Sequence, residues 1–197
     1  MTKAPDKVNL AHSTLLLVDD QPTSLDLLSS IVQGFGVREQ LKCPSAKEAV
    51  ELLRRRAVDL ILVDCAMPEM DGYDFVTWLR REAPEPARFT PVIMILGHAA
   101  QARVARGRDC GASFIVAKPL SPSLLLKRII WLGGEDRDFV ESEHYIGPDR
   151  RVHNYGPPPG TDGRRESDLT GDLGEAVEEN MDQDEIDMLM KPMKVSL

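Results

Sequence analysis

Four short stretches of the chain are continuously apolar: Leu15-Leu16-Leu17-Val18, Leu60-Ile61-Leu62-Val63, Val92-Ile93-Met94-Ile95-Leu96 and Phe114-Ile115-Val116. Runs of this length without polar alternation read as strands buried on both faces, the mark of a parallel sheet covered by helices. Between them the period changes. Leu25, Leu28, Ile31, Val32 and Phe35 recur at helical spacing behind Pro22, and Gly34 and Gly36 close that segment. Residues 37–43 form an edge strand. Ser45 caps a second helix over 46–53, which ends in Arg54-Arg55-Arg56 at its negative pole. The central strand runs over 58–63. Phe75, Val76 and Leu79 mark a third helix, broken by Ala83-Pro84-Glu85-Pro86. After the strand over 91–96, Gly97-His98 turns the chain into a fourth helix, rich in Ala and Arg and weakened by Gly107. The last strand, 114–116, leads to a fifth helix over 120–132. Five alternations of strand and helix predict an α/β domain with right-handed crossovers.

The periodicity stops after Gly133-Gly134. Four segments follow from this: a flexible N-terminus (1–13), a folded domain (14–132), a disordered, arginine-containing linker (133–171), and an acidic tail with a short amphipathic helix (172–197). Charge divides the chain at the same place. Residues 1–132 hold 17 Lys and Arg against 15 Asp and Glu, whereas 133–197 hold 7 against 17, so the net charge of −8 belongs to the tail. Such an imbalance marks a solvated, interaction-prone extension. The 197 residues contain no apolar stretch able to span a bilayer and no secretory leader, which points to a cytoplasmic protein. Cys43, Cys65 and Cys110 have no metal-type spacing and read as reduced packing residues. No helix-turn-helix can be built, so a DNA-binding output is not expected. An enzymatic output is not expected either, because no nucleophile–base set stands outside the acidic rim described next.

Two of the buried strands end in acid. Val18 is followed by Asp19-Asp20, and Val63 by Asp64, at the carboxyl end where open α/β sheets present ligand-binding groups. Three carboxylates on one rim repel one another unless a cation sits among them, and carboxylate oxygens with waters suit Mg²⁺.

These residues resemble a family, the receiver domains of bacterial two-component response regulators typified by CheY. The matching pieces are Val18-Asp19-Asp20, the loop Asp64-x-x-Met67-Pro68-x-Met70-Asp71-Gly72, and Lys118-Pro119, in the family's order and spacing over residues 12–132. The resemblance implies a doubly wound, flavodoxin-like, five-stranded parallel sheet of order 2-1-3-4-5. It implies that Asp64 accepts a phosphoryl group from a histidine kinase. It also implies that Asp19, Asp20, Asp64 and the Ala66 carbonyl hold Mg²⁺, and that Lys118 contacts the phosphoryl group. Two positions depart from the pattern. Leu96 falls where a Thr or Ser hydroxyl is usual, and Ile115 where a Tyr or Phe is usual. A phosphoryl oxygen facing Leu96 lacks a donor, at a cost of about 1–3 kcal/mol. Either Asp64 is phosphorylated and signals differently, or another input controls the domain.

The tail offers that other input. Tyr145, Asp149, Arg150 and Arg151 form one polar cluster, and Arg164, Arg165 and Asp168 a second. Arginine forks phosphate, reads guanine bidentately and stacks on bases, and tyrosine stacks as well. Arg165-Glu166-Ser167-Asp168 matches an Arg-x-x-Asp pattern of cyclic di-GMP sites. The arrangement resembles CheY-like receivers whose arginine-rich extension binds cyclic di-GMP and acts on the flagellar motor. Residues 169–190 hold eight acids and no base. Within them Ile186, Leu189 and Met190 fall on one helical face, a candidate docking segment. The stretch from Gln183 to Leu189 is similar to the peptide by which flagellar motor-switch proteins bind CheY. Two readings therefore stand: a cyclic di-GMP-binding receiver acting in motility, and a phosphorylation-driven receiver whose tail is a linker or docking segment.

Overall fold

A computed structural model describes residues 9–134, 138–149 and 181–190. Strands β1 (Thr14–Val18), β2 (Glu39–Cys43), β3 (Leu60–Asp64), β4 (Val92–Leu96) and β5 (Phe114–Ala117) form one sheet in the order β2-β1-β3-β4-β5, every pair parallel. The unbroken apolar runs have the explanation expected of them. Along each strand alternate side chains enter separate cores. Leu16, Val18, Ile61, Val63, Met94 and Ile115 face one side, and Leu15, Leu17, Leu62, Ile93, Ile95 and Val116 the other. Helices α1 (Pro22–Gly34) and α5 (Pro122–Gly134) cover the second side. Helices α2 (Ala46–Leu53), α3 (Gly72–Arg81) and α4 (Gln101–Asp109) cover the first. Each fully buried Leu, Ile or Val contributes about 1.5–3 kcal/mol.

Local signals set the helix ends. The Ser45 hydroxyl accepts the Glu48 amide at 3.2 Å, and the Asp71 carboxylate accepts the Asp74 amide at 2.8 Å, capping α2 and α3. Pro22 opens α1, and Gly36 follows that helix with φ of 91°, a conformation that suits glycine. Gly107 is not merely a weak point of α4. A Cβ there would meet Ile115 Cδ1 at 2.6 Å, so its absence lets α4 lie directly on β5.

Two sequence expectations need correction. The N-terminus expected to be flexible over 1–13 is tied down in its described part: Leu10 is buried in the α1/α5 core. The disordered linker expected over 133–171 does not hold for its described part. Helix α5 continues to Gly134, and residues 138–149 carry an antiparallel hairpin, β6 (Phe139–Glu141) with β7 (Ile146–Pro148). Packing on the domain explains it. Phe139 meets Phe89, on a single 3₁₀ turn at Ala87–Phe89, edge-to-face at 4.8 Å, and Arg88 pairs with Glu141 at 3.0 Å. Strands of three residues bury too little to register as a pattern, so the hairpin exists only by what it leans on.

The tail also carries α6 (Gln183–Met190). The tail helix expected from Ile186, Leu189 and Met190 does form, and it docks on its own chain, against α4 and the outer edge of β5. Ile186 and Met190 are buried there and Leu189 is partly buried, while Met188 faces solvent.

Beneath the hairpin lies Arg80, 1% exposed. Its Nε donates to the Gly111 carbonyl at 3.0 Å, and its Nη1 to the carbonyls of Arg88 and Thr90 at 2.6 and 2.8 Å. One cation thus ties together the loops that enter β4 and β5.

Candidate functional site

The sheet order builds the site. Strands β1 and β3 are neighbours, so Asp19-Asp20 and Asp64 leave the sheet side by side. β5 lies beyond β4, and the residue after its end, Lys118, reaches back across β4. Its Nζ lies 2.6 Å from Asp64 Oδ1 and 3.6 Å from Asp19 Oδ2. Its own amide donates to the Leu96 carbonyl at 2.7 Å, which fixes the direction of that reach. The other Asp64 oxygen accepts the Ala66 amide at 2.7 Å. Asp64 is 4% exposed and Asp19 1% exposed, so the rim is a narrow mouth and not an open acidic patch.

Electrostatics follow from burial. Burial raises the Asp19 carboxyl above its ordinary value; the Gln21 amide opposes the rise and the Asp64 charge adds to it. Burial works to lower the Lys118 pKa, but its hydrogen bond to Asp64 and the charges of Asp64 and Asp19 outweigh this and raise it. Asp19 Oδ2 and Asp20 Oδ1 are buried without a hydrogen-bond partner. Among the described residues no three acidic, His or Cys side chains form a ready-made cage. Mg²⁺ does not require one, since it keeps several waters and takes one or two carboxylates. The two orphaned oxygens on one rim therefore fit it.

The loop behind the acceptor is held closely. Gly72 donates its amide to the Cys65 carbonyl at 3.1 Å, and a Cβ on Gly72 would lie 2.4 Å from the Asp64 carbonyl oxygen. Arg106 of α4 bridges Asp71 at 3.0 Å and Asp74 at 3.2 Å, with its guanidinium over the Tyr73 ring at 4.3 Å. Neither contact is legible in the sequence, because Arg106 carries no motif and glycine before a helix reads as ordinary punctuation. Burial pushes the thiols up, Cys43 to about 11 and Cys110 to about 12, and Cys65 also upward. All three are free thiols and are protonated at neutral pH, consistent with packing residues.

Leu96 and Ile115 are both fully buried, on the rim and beside α4. In the tail, Tyr145 and Asp149 belong to the hairpin: the Tyr145 hydroxyl donates to the Pro148 carbonyl at 2.7 Å, and the Asp149 amide to the Asp138 carbonyl at 2.7 Å. Arg150, Arg151, Arg164, Arg165 and Asp168 lie outside the described residues. A cleft of about 310 Å³ opens between α3, α4 and the hairpin, away from Asp64. Arg80, Arg81, Arg106 and His144 line it with Asp74 and Asp109, so its charges largely offset.

An acid rim at the carboxyl end of a 2-1-3-4-5 sheet, closed by the lysine that follows β5, defines a receiver. The chain belongs to the response regulator receiver domain family, which it matches over residues 15–130. It is 28% identical over 116 residues to the polar-differentiation response regulator DivK of Brucella ovis, a match covering 59% of this chain and 92% of DivK. It is 33% identical over 122 residues to a Vibrio cholerae protein named "Probable cyclic di-GMP phosphodiesterase", but that match covers 61% of this chain and only 26% of the relative. Among solved structures it resembles the chemotaxis protein CheY4 of Vibrio cholerae, with a TM-score of 0.55, 28% identity, and 59% and 95% of the two chains covered. The receiver domain of the histidine kinase CKI1 of Arabidopsis thaliana, solved with Mg²⁺, gives a TM-score of 0.53 at 26% identity, covering 61% of this chain and 93% of that one. The protein is thus a CheY-like response-regulator receiver of two-component signalling. Among the described residues no helix is long and apolar enough to cross a membrane.

Proposed function

We propose that Asp64 is a phosphoryl acceptor and that the protein signals through protein–protein contacts of its receiver. The observation that carries this reading is the 2.6 Å approach of Lys118 Nζ to Asp64 Oδ1 beside two orphaned carboxylate oxygens. In the reaction an Asp64 oxygen forms a bond to phosphorus as the donor's P–O or P–N bond breaks. The donor, a histidine kinase or a small acyl phosphate, leaves with that electron pair. Asp19, Asp20, Asp64 and the Ala66 carbonyl would hold Mg²⁺, which supplies positive charge against the transferring oxygens. Lys118 neutralises charge on the same oxygens and orients the acceptor, while the Ala66 amide holds the second Asp64 oxygen. Incubation with acetyl phosphate is expected to add one phosphoryl group per chain by mass, only with Mg²⁺ and not in Asp64→Asn. Undiminished uptake by Asp64→Asn would remove Asp64 from the role.

A second reading concerns the tail. The hairpin anchors the chain on the receiver as far as Asp149, next to Arg150-Arg151, and Arg164-Arg165 with Asp168 has the residue types that fork phosphates and read guanine. On this reading the tail arginines bind cyclic di-GMP, and the receiver acts in motility on a partner such as a flagellar motor-switch protein. Calorimetry of the full chain with cyclic di-GMP is expected to give saturable binding that Arg164→Ala with Arg165→Ala abolishes. Unchanged binding by that double variant returns the second cluster to a linker.

A further inference from the structure

We infer that the cleft between α3, α4 and the β6–β7 hairpin is a binding site for the phosphate group of a small molecule. The site lies away from Asp64 and uses no tail arginine, so it stands apart from both readings above.

Two glycines bring the hairpin backbone onto the domain. A Cβ on Gly111 would lie 2.6 Å from the Ile146 carbonyl oxygen, and one on Gly147 would lie 2.9 Å from Gly111 Cα. The hairpin turn is fixed as well. The Ser142 amide donates to the Tyr145 carbonyl at 2.9 Å, and the Tyr145 amide to the Ser142 hydroxyl at 3.0 Å. His144 and Ile146 therefore line the cleft from a set backbone. The other walls are helical: Arg80 and Arg81 come from α3, and Arg106 from α4. At about 310 Å³ the cleft is at the lower end of the range of small-molecule sites.

The charges of the lining largely offset in number, but not in pairing. Asp74 already faces Arg106 at 3.2 Å, and Asp109 faces Arg108 at 3.1 Å. Among the described residues Arg80 and Arg81 form no ion pair with a carboxylate. Arg80 is the stronger case. Its Nε and Nη1 go to three backbone carbonyls, while Nη2 is buried with no hydrogen-bond partner among the described residues. A buried cationic donor left unmatched is costly, and an anionic acceptor offsets that cost. Arg81 follows it, exposed, and His144 is exposed on the hairpin side. Three nitrogen-bearing side chains from two elements thus surround one cavity. A tetrahedral phosphate offers them three oxygens where a carboxylate offers two, and an arginine fork suits phosphate. Ile146 and Cys110 add apolar surface for the rest of the molecule. Asp74 and Asp109 on the same lining repel the backbone of a nucleic acid, which restricts the ligand to a small phosphate. Such a ligand ties the hairpin to α3, so it holds down the segment through which the chain leaves the domain.

Calorimetry of the full chain in EDTA, which removes any Mg²⁺-dependent binding at the acid rim, tests this with adenosine monophosphate, inorganic phosphate and adenosine. Adenosine monophosphate is expected to bind saturably with a Kd below about 1 mM, and adenosine not to bind. Inorganic phosphate separates the two sources of the group. Binding equal to that of adenosine monophosphate assigns the cleft to free phosphate, and weaker binding assigns it to a phosphate ester. Arg81→Ala combined with His144→Ala should weaken binding about tenfold or more, the usual effect of losing charge-assisted hydrogen bonds. Amide shifts are expected at Arg81, Gly111, His144 and Ile146, and the β6–β7 amides should exchange more slowly when ligand is bound. Absence of binding by both phosphate probes overturns the inference. Unchanged affinity in the double variant overturns it too, as do amide shifts confined to the acid rim or to residues beyond Asp149.

Discussion

Arg80→Ala is expected to lower the unfolding free energy by about 3–5 kcal/mol, the largest stability loss of any single change outside the apolar core. The side chain is 1% exposed and donates to three backbone carbonyls, of Gly111, Arg88 and Thr90. Each buried acceptor left without a donor costs about 1–3 kcal/mol. A compensating gain exists. Among the described residues the guanidinium is buried without a carboxylate and its Nη2 has no hydrogen-bond partner, and burial pushes its pKa down to about 10. Removing such a charge relieves part of its desolvation, which keeps the net below the sum of three lost bonds. Arg80→Lys should recover only a fraction, because one ammonium cannot span three carbonyls on two loops. Urea titration followed by circular dichroism checks this, and a loss under about 1 kcal/mol for Arg80→Ala would mean that the carbonyls find water or other donors. The hairpin should also loosen, since Phe139 stacks 5.6 Å from the same guanidinium.

Gly72→Ala is expected to slow phosphoryl uptake at Asp64 by about 10- to 100-fold while leaving the sheet folded, since misplacement of a reacting group by about 1 Å can cost that much. The new Cβ would lie 2.4 Å from the Asp64 carbonyl oxygen and 2.9 Å from Cys65 Cα. Both are backbone atoms, so no rotamer change relieves the clash. Helix α3 has to back away from the end of β3, or Asp64 has to move relative to Lys118. Overpacking of this kind also costs about 1–3 kcal/mol of stability. Gly34→Ala is the control. Its Cβ meets nothing within 4 Å at the end of α1, and it should be neutral or slightly stabilising. Uptake by Gly72→Ala within twofold of the wild type would show that the loop yields without moving the acceptor.

The five strands of the parallel sheet are legible in the sequence because their information is local. Leu60-Ile61-Leu62-Val63 has no polar position to turn toward water, so it can only be a strand covered on both faces, and the acid that ends it must lie at the sheet's rim. Ser45 caps its helix through an amide three residues away, a distance that spacing alone resolves. The place of Asp64 in the site is legible for the same reason, and that of Lys118 through its neighbourhood of matching motifs.

What the sequence does not reveal depends on partners far along the chain. Phe139 and Ile146 form a hairpin because Phe89, Arg80 and Gly111 lie beneath them, and three-residue strands have no pattern of their own. Gly107 reads as a flaw in a helix until Ile115 is seen against it. The apolar face of 183–190 announces a helix that must dock, but every helix of that composition does. Its choice of surface is made by the outer edge of β5 and an arginine on α5, which come together only when the five strands have assembled. Secondary structure and the acid rim are set by neighbours within a turn or a strand. Loop closure over tens of residues costs entropy that only tertiary contacts recover, and these carry no trace in the order of residues.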